Sequence, residues 1–258
     1  MKKISGFSFI HNAFELGIPI IEAIKSVENY VDEMVVVDME STDETRTMLE
    51  KLGVRIIDGL WGNQAGQTLK DAHALHCQCT YDNILHFEGD EVYDENLVNQ
   101  LIYQINLDSK NLGCWRLQLE QNFQRCRWYP EIVHRVFQKG TVVKEGHSTD
   151  YHRPGRLIPT IDSDFGYLWD ITNNFHDSWI RRIEVQSELW NDELPQFRHV
   201  PLHFLGMTDI HREQAHYLLA ERHWDFENTP FKIPEILKPL VGVSDYRNTK
   251  HYREISDG

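Results

Sequence analysis

The sequence predicts an α/β fold in which helices flank a mostly parallel central sheet. Residues 3–91 alternate between short apolar runs and amphipathic segments, as strands and helices do in such a sheet. The run at 34–37, Met-Val-Val-Val, is apolar on both faces, which a central parallel strand requires. Polar side chains follow several of these runs directly. Because ligands bind beyond the carboxyl ends of parallel strands, we expect these side chains to share one pocket.

The chain opens with a strand and an amphipathic helix. The strand is predicted at 3–10, where an apolar-rich run ends at His11 and Asn12. Pro19 then suits the first turn of a helix, since its missing N–H group is not needed there. Isoleucine and valine side chains recur after it at helical spacing, at positions 20, 21, 24 and 27.

The alternation of strands and helices continues towards residue 91. A second strand, at 34–38, is followed by Ser41 and Glu44, whose spacing matches a capping box. This predicts a helix that begins there and runs to Gly53. The remaining elements are a strand at 54–57, a loop at 58–66, a helix at 67–79 and a strand that begins at residue 83.

The second half of the chain is less regular. A helix is predicted at 94–106, and strands are predicted at 113–119 and 132–137, with a loop at 120–125 between them. Residues 144–176 are rich in His, Asp, Pro and Gly, which is typical of functional loops. Further predicted elements are helices at 178–190 and 208–224, a strand at 200–204 and a polar tail from Asp225 onwards.

Composition argues against several classes of protein. In 258 residues, 26 Lys and Arg stand against 40 Asp and Glu, a net charge of −14, which disfavours a nucleic-acid-binding surface. No apolar run approaches the ~18 residues of a transmembrane helix, and the N-terminus lacks the pattern of a signal peptide. The four cysteines lack the usual zinc spacing and favour free thiols in a reducing cytoplasm. We therefore expect a cytoplasmic protein.

The strand that begins at residue 83 ends in an acidic turn, Glu88-Gly89-Asp90-Glu91. Three carboxylates within four residues are costly if they are buried without partners. Mg²⁺ or Mn²⁺ would offset that cost, because hard cations prefer oxygen ligands and keep positions open for phosphates. The alternative is an acidic turn that only precedes the helix near Asp94, since acidic residues suit a first helical turn.

Several segments resemble family 2 glycosyltransferases, in particular bacterial and viral members. The run Val-Asp-Met-Glu-Ser-Thr-Asp-Glu-Thr at 37–45 resembles the strand-end signature of that family, and Glu88-Gly-Asp90 resembles its Asp-x-Asp metal site. The segments 9–14 and 63–70 are also similar. The resemblance covers residues 3–100; beyond them it is limited to 128–137 and 203–206.

The resemblance implies a GT-A (Rossmann-like) fold with a helical and irregular C-terminal part. It implies a nucleotide-diphosphate sugar donor, UDP- or GDP-linked, and Mn²⁺ or Mg²⁺ on its phosphates. Asp38 would contact the nucleoside, Glu88 the ribose and the metal, and Asp90 the metal. Without that role, Asp38 would only cap the turn after its strand. Glu88 in place of the usual Asp, and Met39-Glu40 in place of the common pair, depart from the family pattern.

Other candidate residues are less strongly indicated. Asn12 and Lys70 are predicted to bind the nucleotide, and Arg135 is a further candidate for a phosphate. In this fold a histidine often completes the metal site, which favours His203, with His176 as the alternative. The base that accepts the proton of the acceptor is assigned to a loop carboxylate, and the candidates are Asp150 and Glu145, with Glu120 and Asp177 as competitors. Core packing is the default for each tryptophan, and surface or core roles are the default for His73 and His76.

The chain is thus predicted to be a hexosyltransferase-like, inverting enzyme that acts on a glycan or another small acceptor. Residues 1–110 would bind the nucleotide-sugar, 111–224 would form the acceptor side, and 225–258 would wrap the surface. One alternative is a nucleotidyltransferase, which the lack of a Gly-rich, basic loop at 8–17 disfavours. The other is a non-catalytic sugar- or nucleotide-binding protein on a degenerate scaffold, which the changes at Met39 and Glu88 favour.

Overall fold

The strands and helices alternate through the first hundred residues, as the sequence predicts. The computed structural model describes residues 1–62, 65–120, 125–127, 131–141, 168–173, 223–225, 233–243 and 245–256. Within these residues ten strands form one sheet: β1 Ile4–Ile10, β2 Glu33–Met39, β3 Arg55–Gly59, β4 Asn83–His86, β5 Glu91–Tyr93, β6 Leu112–Glu120, β7 Arg125–Arg127, β8 Glu131–Gln138, β9 Leu168–Asn173 and β10 His223–Asp225.

In chain order, most helices of the described residues connect one parallel strand to the next. The helices are α1 Ala13–Leu16, α2 Ile20–Val27, α3 Thr45–Lys51, α4 Ala65–Ala74, α5 Glu95–Asn106 and α6 Lys250–Ser256. Short 3-10 helices cover Glu28–Tyr30, Leu75–Gln78, Glu235–Leu240 and Tyr246–Asn248. In the part of the chain that the structure describes, no helix is both long and apolar enough to cross a membrane.

The N-terminal strands form a parallel sheet in the order β3-β2-β1-β4. In this register Ile10 lies opposite Asp38, and Asp38 lies opposite Asp58. On the other side of β1, Phe7 lies opposite His86. The carboxyl ends of all these strands therefore meet at one edge of the sheet. The predicted class, a mixed and mostly parallel α/β sheet flanked by helices, is confirmed.

Beyond β4 the sheet becomes mixed. β8 runs antiparallel to β4, with Leu85 opposite Val136, so that Arg135 follows directly towards the end of β4. β6 pairs with β8 and β7 in antiparallel fashion and with β9 in parallel, and β9 also pairs with β5. The acidic turn between β4 and β5 is thereby surrounded by strands from later in the chain.

Two apolar cores cover the two faces of the parallel strands. Val36 belongs to the larger core, whereas its neighbours Val35 and Val37 belong to the smaller one. Because successive side chains of a strand point to opposite faces, the two cores lie on opposite sides of the sheet. The second strand is therefore apolar on both faces because both faces are buried, as predicted for a central parallel strand.

The C-terminal segment contributes to the larger core. Leu237, Leu240 and Tyr246 are completely buried there, and Tyr252 is nearly so. The Tyr252 hydroxyl donates to the Phe14 carbonyl at 3.0 Å, and the two rings stack with centroids 4.2 Å apart. This segment thus packs against the first helices of the chain.

The predicted capping box at Ser41 and Glu44 is wrong. α3 begins at Thr45, and Glu44 at its N-cap position makes no side-chain cap hydrogen bond. The Ser41 hydroxyl instead accepts the Asn12 N–H at 2.9 Å, and the Thr45 N–H donates to Asp43 Oδ1 at 3.0 Å. The spacing of Ser41 and Glu44 suits a capping box, but the Ser41 hydroxyl binds the loop after β1 instead of the first turn of α3.

Short strands account for the other corrections. β9 lies within residues 144–176, for which the sequence predicts an irregular segment. Arg125 in β7 lies in a predicted loop, and His223 and Trp224 in β10 lie at the end of a predicted helix. β5 was not predicted. β5, β7 and β10 are too short to show an alternating apolar pattern. Each of the four strands forms because it pairs with a neighbouring strand. The predicted elements at 178–190 and 200–204, and the rest of 208–224, lie outside the described residues.

Candidate active site

Polar side chains collect at the edge where the parallel strands end. Asn12 follows β1, Asp38 lies near the end of β2, and Glu88 follows β4. Adjacent strands are ~4.8 Å apart, so the backbones that carry Asp38 and Glu88, with β1 between them, are separated by roughly 10 Å. The edge therefore brings together the side chains that the sequence predicts to form one pocket.

Asp38 is buried and shapes the turn that follows it. It is 4% exposed, and its Oδ1 accepts the Ser41 N–H at 3.1 Å. Its Oδ2 lies 3.4 Å from Nη1 of Arg46, which also donates to Asp58 at 2.7 Å. The turn-capping role given as the alternative is therefore present. A nucleoside contact of the same carboxylate stays a prediction.

Asn12 ties the loops after β1 and β2 together. Its Oδ1 accepts the Thr42 N–H at 2.7 Å, and its own N–H donates to the Ser41 hydroxyl at 2.9 Å. Its backbone is left-handed, with φ of 46°, a conformation that asparagine tolerates better than most residues. The segments at 9–14 and 37–45 are thus fixed against each other.

An aromatic pair lies on the β3 side of this edge. The His11 and Trp61 rings stack with centroids 3.8 Å apart and an interplanar angle of 9°. His11 Nδ1 is 2.6 Å from the Met39 carbonyl oxygen, and the backbone N–H of Trp61 donates to Glu40 Oε2 at 3.0 Å. Trp61 is half-buried, whereas Trp169 is fully buried and has the predicted core role.

The acidic turn is anchored by an arginine that comes from β8. Arg135 and Glu91 are both completely buried. Arg135 Nε donates to Glu91 Oε2 at 2.8 Å, and its Nη2 donates both to Glu91 Oε1 and, at 3.1 Å, to Glu88 Oε1. Glu91 is therefore the partner of an arginine. The sequence showed both residues but gave no signal that they pair, because they are far apart in the chain.

A second arginine extends this network. Arg116 Nη1 lies 3.4 Å from Glu91 Oε1 and 3.6 Å from Asp170 Oδ2. Burial raises the pKa of Glu88 to about 8, and the neighbouring charge of Glu91 adds to this, although Arg135 opposes it. Two guanidinium groups thus face the carboxylates of Glu88, Glu91 and Asp170, with Asp90 in the same turn.

The carboxylates of the turn suit a hard cation whose coordination is completed by the phosphates of a ligand. Among the described residues, no group of three or more His, Cys, Asp or Glu side chains forms a complete metal site. Glu88 and Asp90 supply carboxylates, and the Glu88 side chain is 22% exposed. Mg²⁺ commonly uses one or two carboxylates together with substrate phosphates and water. A nucleotide diphosphate could therefore complete the coordination.

The remaining candidates are divided between described and undescribed residues. Lys70 lies half-buried on α4. Asp150, Glu145, His203 and the competitor His176 lie outside the described residues. Their roles stay predictions.

Three buried histidines lie beneath the edge, on the side of the smaller core. His73, His76 and His86 are 1%, 2% and 0% exposed, so the core alternative is confirmed for the first two. The His73 and His86 ring centroids are 4.9 Å apart, and both rings contact Phe9. His76 Nε2 accepts the Gly140 N–H at 3.0 Å, which requires the neutral ring.

Comparison with known proteins gives partial matches. No family model matches the chain. A protein of Rickettsia felis is 39% identical over 103 residues, which cover 40% of this chain and 34% of that protein. A protein of Rickettsia conorii is 35% identical over 102 residues, with the same coverage.

Both relatives are named uncharacterized glycosyltransferases. The chain spans about a third of the length of these curated relatives.

Solved structures of glycosyltransferases also resemble the chain. TarS of S. aureus, residues 1–349, has a TM-score of 0.43 and 13% identity over 73% of this chain and 66% of that one. Glucosyl-3-phosphoglycerate synthase of Mycobacterium tuberculosis, solved with Mn²⁺, UDP and glucosyl-3-phosphoglycerate, has a TM-score of 0.36 and 18% identity over 45% of this chain and 44% of that one. The fold class of the present chain is the one its own strand order shows, a mixed and mostly parallel α/β sheet flanked by helices.

Proposed function

We propose that this protein is a metal-dependent glycosyltransferase that moves a sugar from a nucleotide-diphosphate sugar to a glycan or another small acceptor. The observation that carries the proposal is the position of two turns. The turn after Asp38 and the acidic turn at Glu88 lie at one edge of the parallel sheet, with a single strand between them. The motif resemblance and the glycosyltransferase relatives support it.

The donor is assigned to this edge residue by residue. Asn12, Asp38 and Lys70 bind the nucleotide, UDP or GDP, and Glu88 reaches its ribose and the cation. Asp90 is the second carboxylate on Mn²⁺ or Mg²⁺, and His203 is its third protein ligand. The bound cation supplies Lewis-acid neutralisation of the diphosphate that leaves.

The charge of the acidic turn supports a divalent cation. Glu88, Glu91 and Asp170 pair with the two guanidinium groups of the network, and Asp90 adds a fourth carboxylate to the turn. Burial and then the charges of Glu91 and Asp90 raise the pKa of Glu88 to about 8, against the opposing effect of the two arginines, so its ionised form is disfavoured without a further cation. A divalent cation at the turn would stabilise the ionised form of Glu88.

Transfer then needs a base on the acceptor side. The acceptor hydroxyl oxygen forms a bond to the anomeric carbon, while the bond from that carbon to the diphosphate oxygen breaks. The hydroxyl proton passes to a carboxylate, and Asp150 and Glu145 are the proposed bases. Attack on the face opposite the leaving group inverts the configuration. The edge contributes by holding the donor in line for this attack.

The reaction is proposed to take place in the cytoplasm. Cys77, Cys79 and Cys114 are free thiols, which fits a reducing compartment.

Nucleotide-dependent thermal stabilisation tests the proposal. The protein is heated with UDP, GDP and their sugars, with Mn²⁺, with Mg²⁺ and with EDTA. A ligand present at 100 times its dissociation constant stabilises the folded state by ~2.7 kcal/mol. We expect a nucleotide response that grows with the cation in the wild type and is reduced in Asp90→Asn. A wild type that responds to no combination would contradict the proposal.

The second candidate function is a nucleotide-sugar-binding protein without catalysis. The ion pair between Glu88 and Arg135 favours it, because the carboxylate already has a protein partner. Donor hydrolysis separates the two, since a transferase slowly passes its sugar to water. Release of UDP or GDP from a bound donor, absent in Asp90→Asn, would support the enzyme. Tight binding of the donor with no release would support the binding protein.

A further inference from the structure

The Arg135 guanidinium is a branch point between two carboxylates of the acidic turn. Its Nε and Nη2 bind both oxygens of Glu91, and the same Nη2 also donates to Glu88 Oε1 at 3.1 Å. Its Nη1 donates to the His134 carbonyl at 3.0 Å. All three nitrogens are therefore engaged, and the group is fixed on β8 beside the end of β4.

The backbone of the turn is closed by the same partner. The Glu88 N–H donates to Glu91 Oε2 at 3.2 Å, and the Glu91 N–H donates to the Glu88 carbonyl at 3.1 Å. Glu91 thus closes the turn and receives the arginine. Arg116 approaches Glu91 from β6, and the Ile171 N–H donates to the Asp90 carbonyl at 2.9 Å. Three strands from later in the chain, β6, β8 and β9, therefore support this one turn.

The two oxygens of Glu88 are in different situations. Oε1 accepts from Arg135, whereas among the described residues no donor reaches Oε2. The side chain keeps 22% of its surface exposed, in contrast to the fully buried Glu91. One oxygen is thus held by the protein and the other is left for a ligand.

We propose that Arg135 is a positioning residue that holds Glu88 by one oxygen and so presents the other to the cation and nucleotide. This inference rests on the proposed function, because it needs a cation at the acidic turn. Arg135 touches neither substrate nor cation and acts through Glu88. Its role is distinct from the phosphate contact considered from the sequence, since its donors are already taken by Glu88, Glu91 and the His134 carbonyl.

Arg135→Lys tests the inference because it keeps the charge and loses the fork. An ammonium group cannot donate in parallel to Glu91 and also reach Glu88 in the same geometry. UDP and GDP affinities are measured by calorimetry, once with Mn²⁺ and once with EDTA. The ratio of the two dissociation constants gives the cation-dependent gain. We expect this gain to fall at least tenfold in Arg135→Lys, while the affinity in EDTA changes less than threefold.

Arg55→Lys is the matched control. Arg55 Nη1 binds Glu33 Oε1 at 2.7 Å, also between neighbouring strands, but at the amino ends of β2 and β3. Its replacement should leave the gain unchanged. If Arg135 has only a structural role, Arg135→Lys will lower the melting temperature and leave the cation-dependent gain at its wild-type value. That result would overturn the inference while the proposed function stands. A wild type without any cation-dependent gain would overturn both.

A second measurement uses the wild-type protein, in case Arg135→Lys does not fold. The Nε–Hε resonance of Arg135 is followed by NMR as Mg²⁺ and UDP or GDP are added. We expect it to shift as the nucleotide saturates, because the charge on its partner Glu88 is then shared with the cation, while the Arg55 resonance stays in place. An unchanged Arg135 resonance at saturation would overturn the positioning role.

Discussion

Two side chains near the sheet edge, Glu88 and His86, have pKa values shifted by their surroundings. Glu88 is the clearest case, because burial and the charge of Glu91 raise its pKa to about 8 against the opposing effect of Arg135. An acid with a higher pKa in the folded state binds its proton more tightly there than in the unfolded chain. Its contribution to stability is present below the ordinary pKa of 4.5 and is lost as the pH rises through about 8. The ionised form of Glu88, the residue proposed to meet the cation, is therefore disfavoured in the cation-free protein.

Glu88→Gln should stabilise the cation-free protein at alkaline pH. The amide can still accept from Arg135 and carries no charge, so we expect a free energy of unfolding higher by ~1 kcal/mol or more at pH 9, and little difference near pH 5. Urea unfolding in EDTA at the two pH values measures this. The same variant should lose the stabilisation that Mn²⁺ and nucleotide give the wild type.

Glu28→Gln is the control for this comparison, because Glu28 is exposed on the surface. It should show no such dependence on pH. Lower stability of Glu88→Gln at both pH values would contradict the electrostatic account and make Glu88 a purely structural partner of Arg135.

The pKa of His86 shifts in the opposite direction, and this ring is also held neutral, without contact with water. Its Nδ1 lies 3.1 Å from the Phe7 carbonyl oxygen, and within the described residues its Nε2 has no hydrogen-bond partner. Burial lowers the pKa of His86 well below its ordinary value, and the neighbouring His73 and Arg135 lower it further. The unfolded chain therefore takes up a proton as the pH falls through about 6.5, whereas the folded chain does not.

His86→Phe should make the protein less sensitive to acid. A histidine that stays neutral only in the folded state lowers the free energy of unfolding by up to ~1.4 kcal/mol for each pH unit below about 6.5. We expect the loss between pH 7 and pH 5.5 to be smaller in the variant, although not zero, because burial also lowers the pKa of His76. Urea unfolding at the two pH values gives the slope. An unchanged slope would show that His86 is protonated in the folded protein.

At the scale of elements, the turn after β1 is held by a side chain from that turn itself. Asn12 combines a left-handed backbone with hydrogen bonds to the loop after β2, through its Oδ1 and its N–H. The same loop supplies Asp43, whose carboxylate accepts the Glu15 N–H at 2.6 Å. Two loops that are about 30 residues apart in the chain therefore hold each other in place. Their hydrogen bonds form in place of the predicted capping box.

Asn12→Ala should lose both the hydrogen bond and the tolerance for the left-handed backbone. The hydrogen bond contributes about 1 kcal/mol and the left-handed backbone costs alanine about 1–2 kcal/mol, so we expect the free energy of unfolding to fall by ~2–3 kcal/mol. Asn12→Gly restores the backbone and loses only the side-chain contact, and should fall by ~1 kcal/mol. Urea unfolding of both variants checks the order. Equal losses would show that the backbone conformation carries no cost at this position.

At the scale of the whole molecule, the C-terminal segment is fastened to the second helix by a buried polar pair. The Tyr246 hydroxyl donates to the Glu22 carboxylate, and both residues are completely buried although 224 positions separate them. Burial, followed by the charge of Glu22, raises the pKa of Tyr246 well above its ordinary value. The chain end is thus part of the core that supports the edge of the sheet.

Tyr246→Phe should destabilise the protein more than Tyr252→Phe. The first change removes a donor from a buried carboxylate and should cost ~1–3 kcal/mol, whereas the second removes a hydroxyl from a backbone carbonyl and should cost about 1 kcal/mol. Urea unfolding measures both. With Glu22→Gln as the background, Tyr246→Phe should cost less, because the buried charge is gone. An equal cost in both backgrounds would contradict the pairing.

The alternation of strands and helices follows from local sequence patterns, because the spacing of apolar side chains reflects which face of each element is buried. These patterns place β2 and α5 to within about two residues, and they place Asn12, Asp38 and Glu88 at strand ends. The contacts that hold those strand ends are visible only in the folded chain. Arg135 reaches Glu91, Ser41 receives the Asn12 N–H, and β5 and β9 exist through mutual pairing. Such contacts join residues that are distant in the chain, and no local pattern of side chains specifies a partner that only folding brings near.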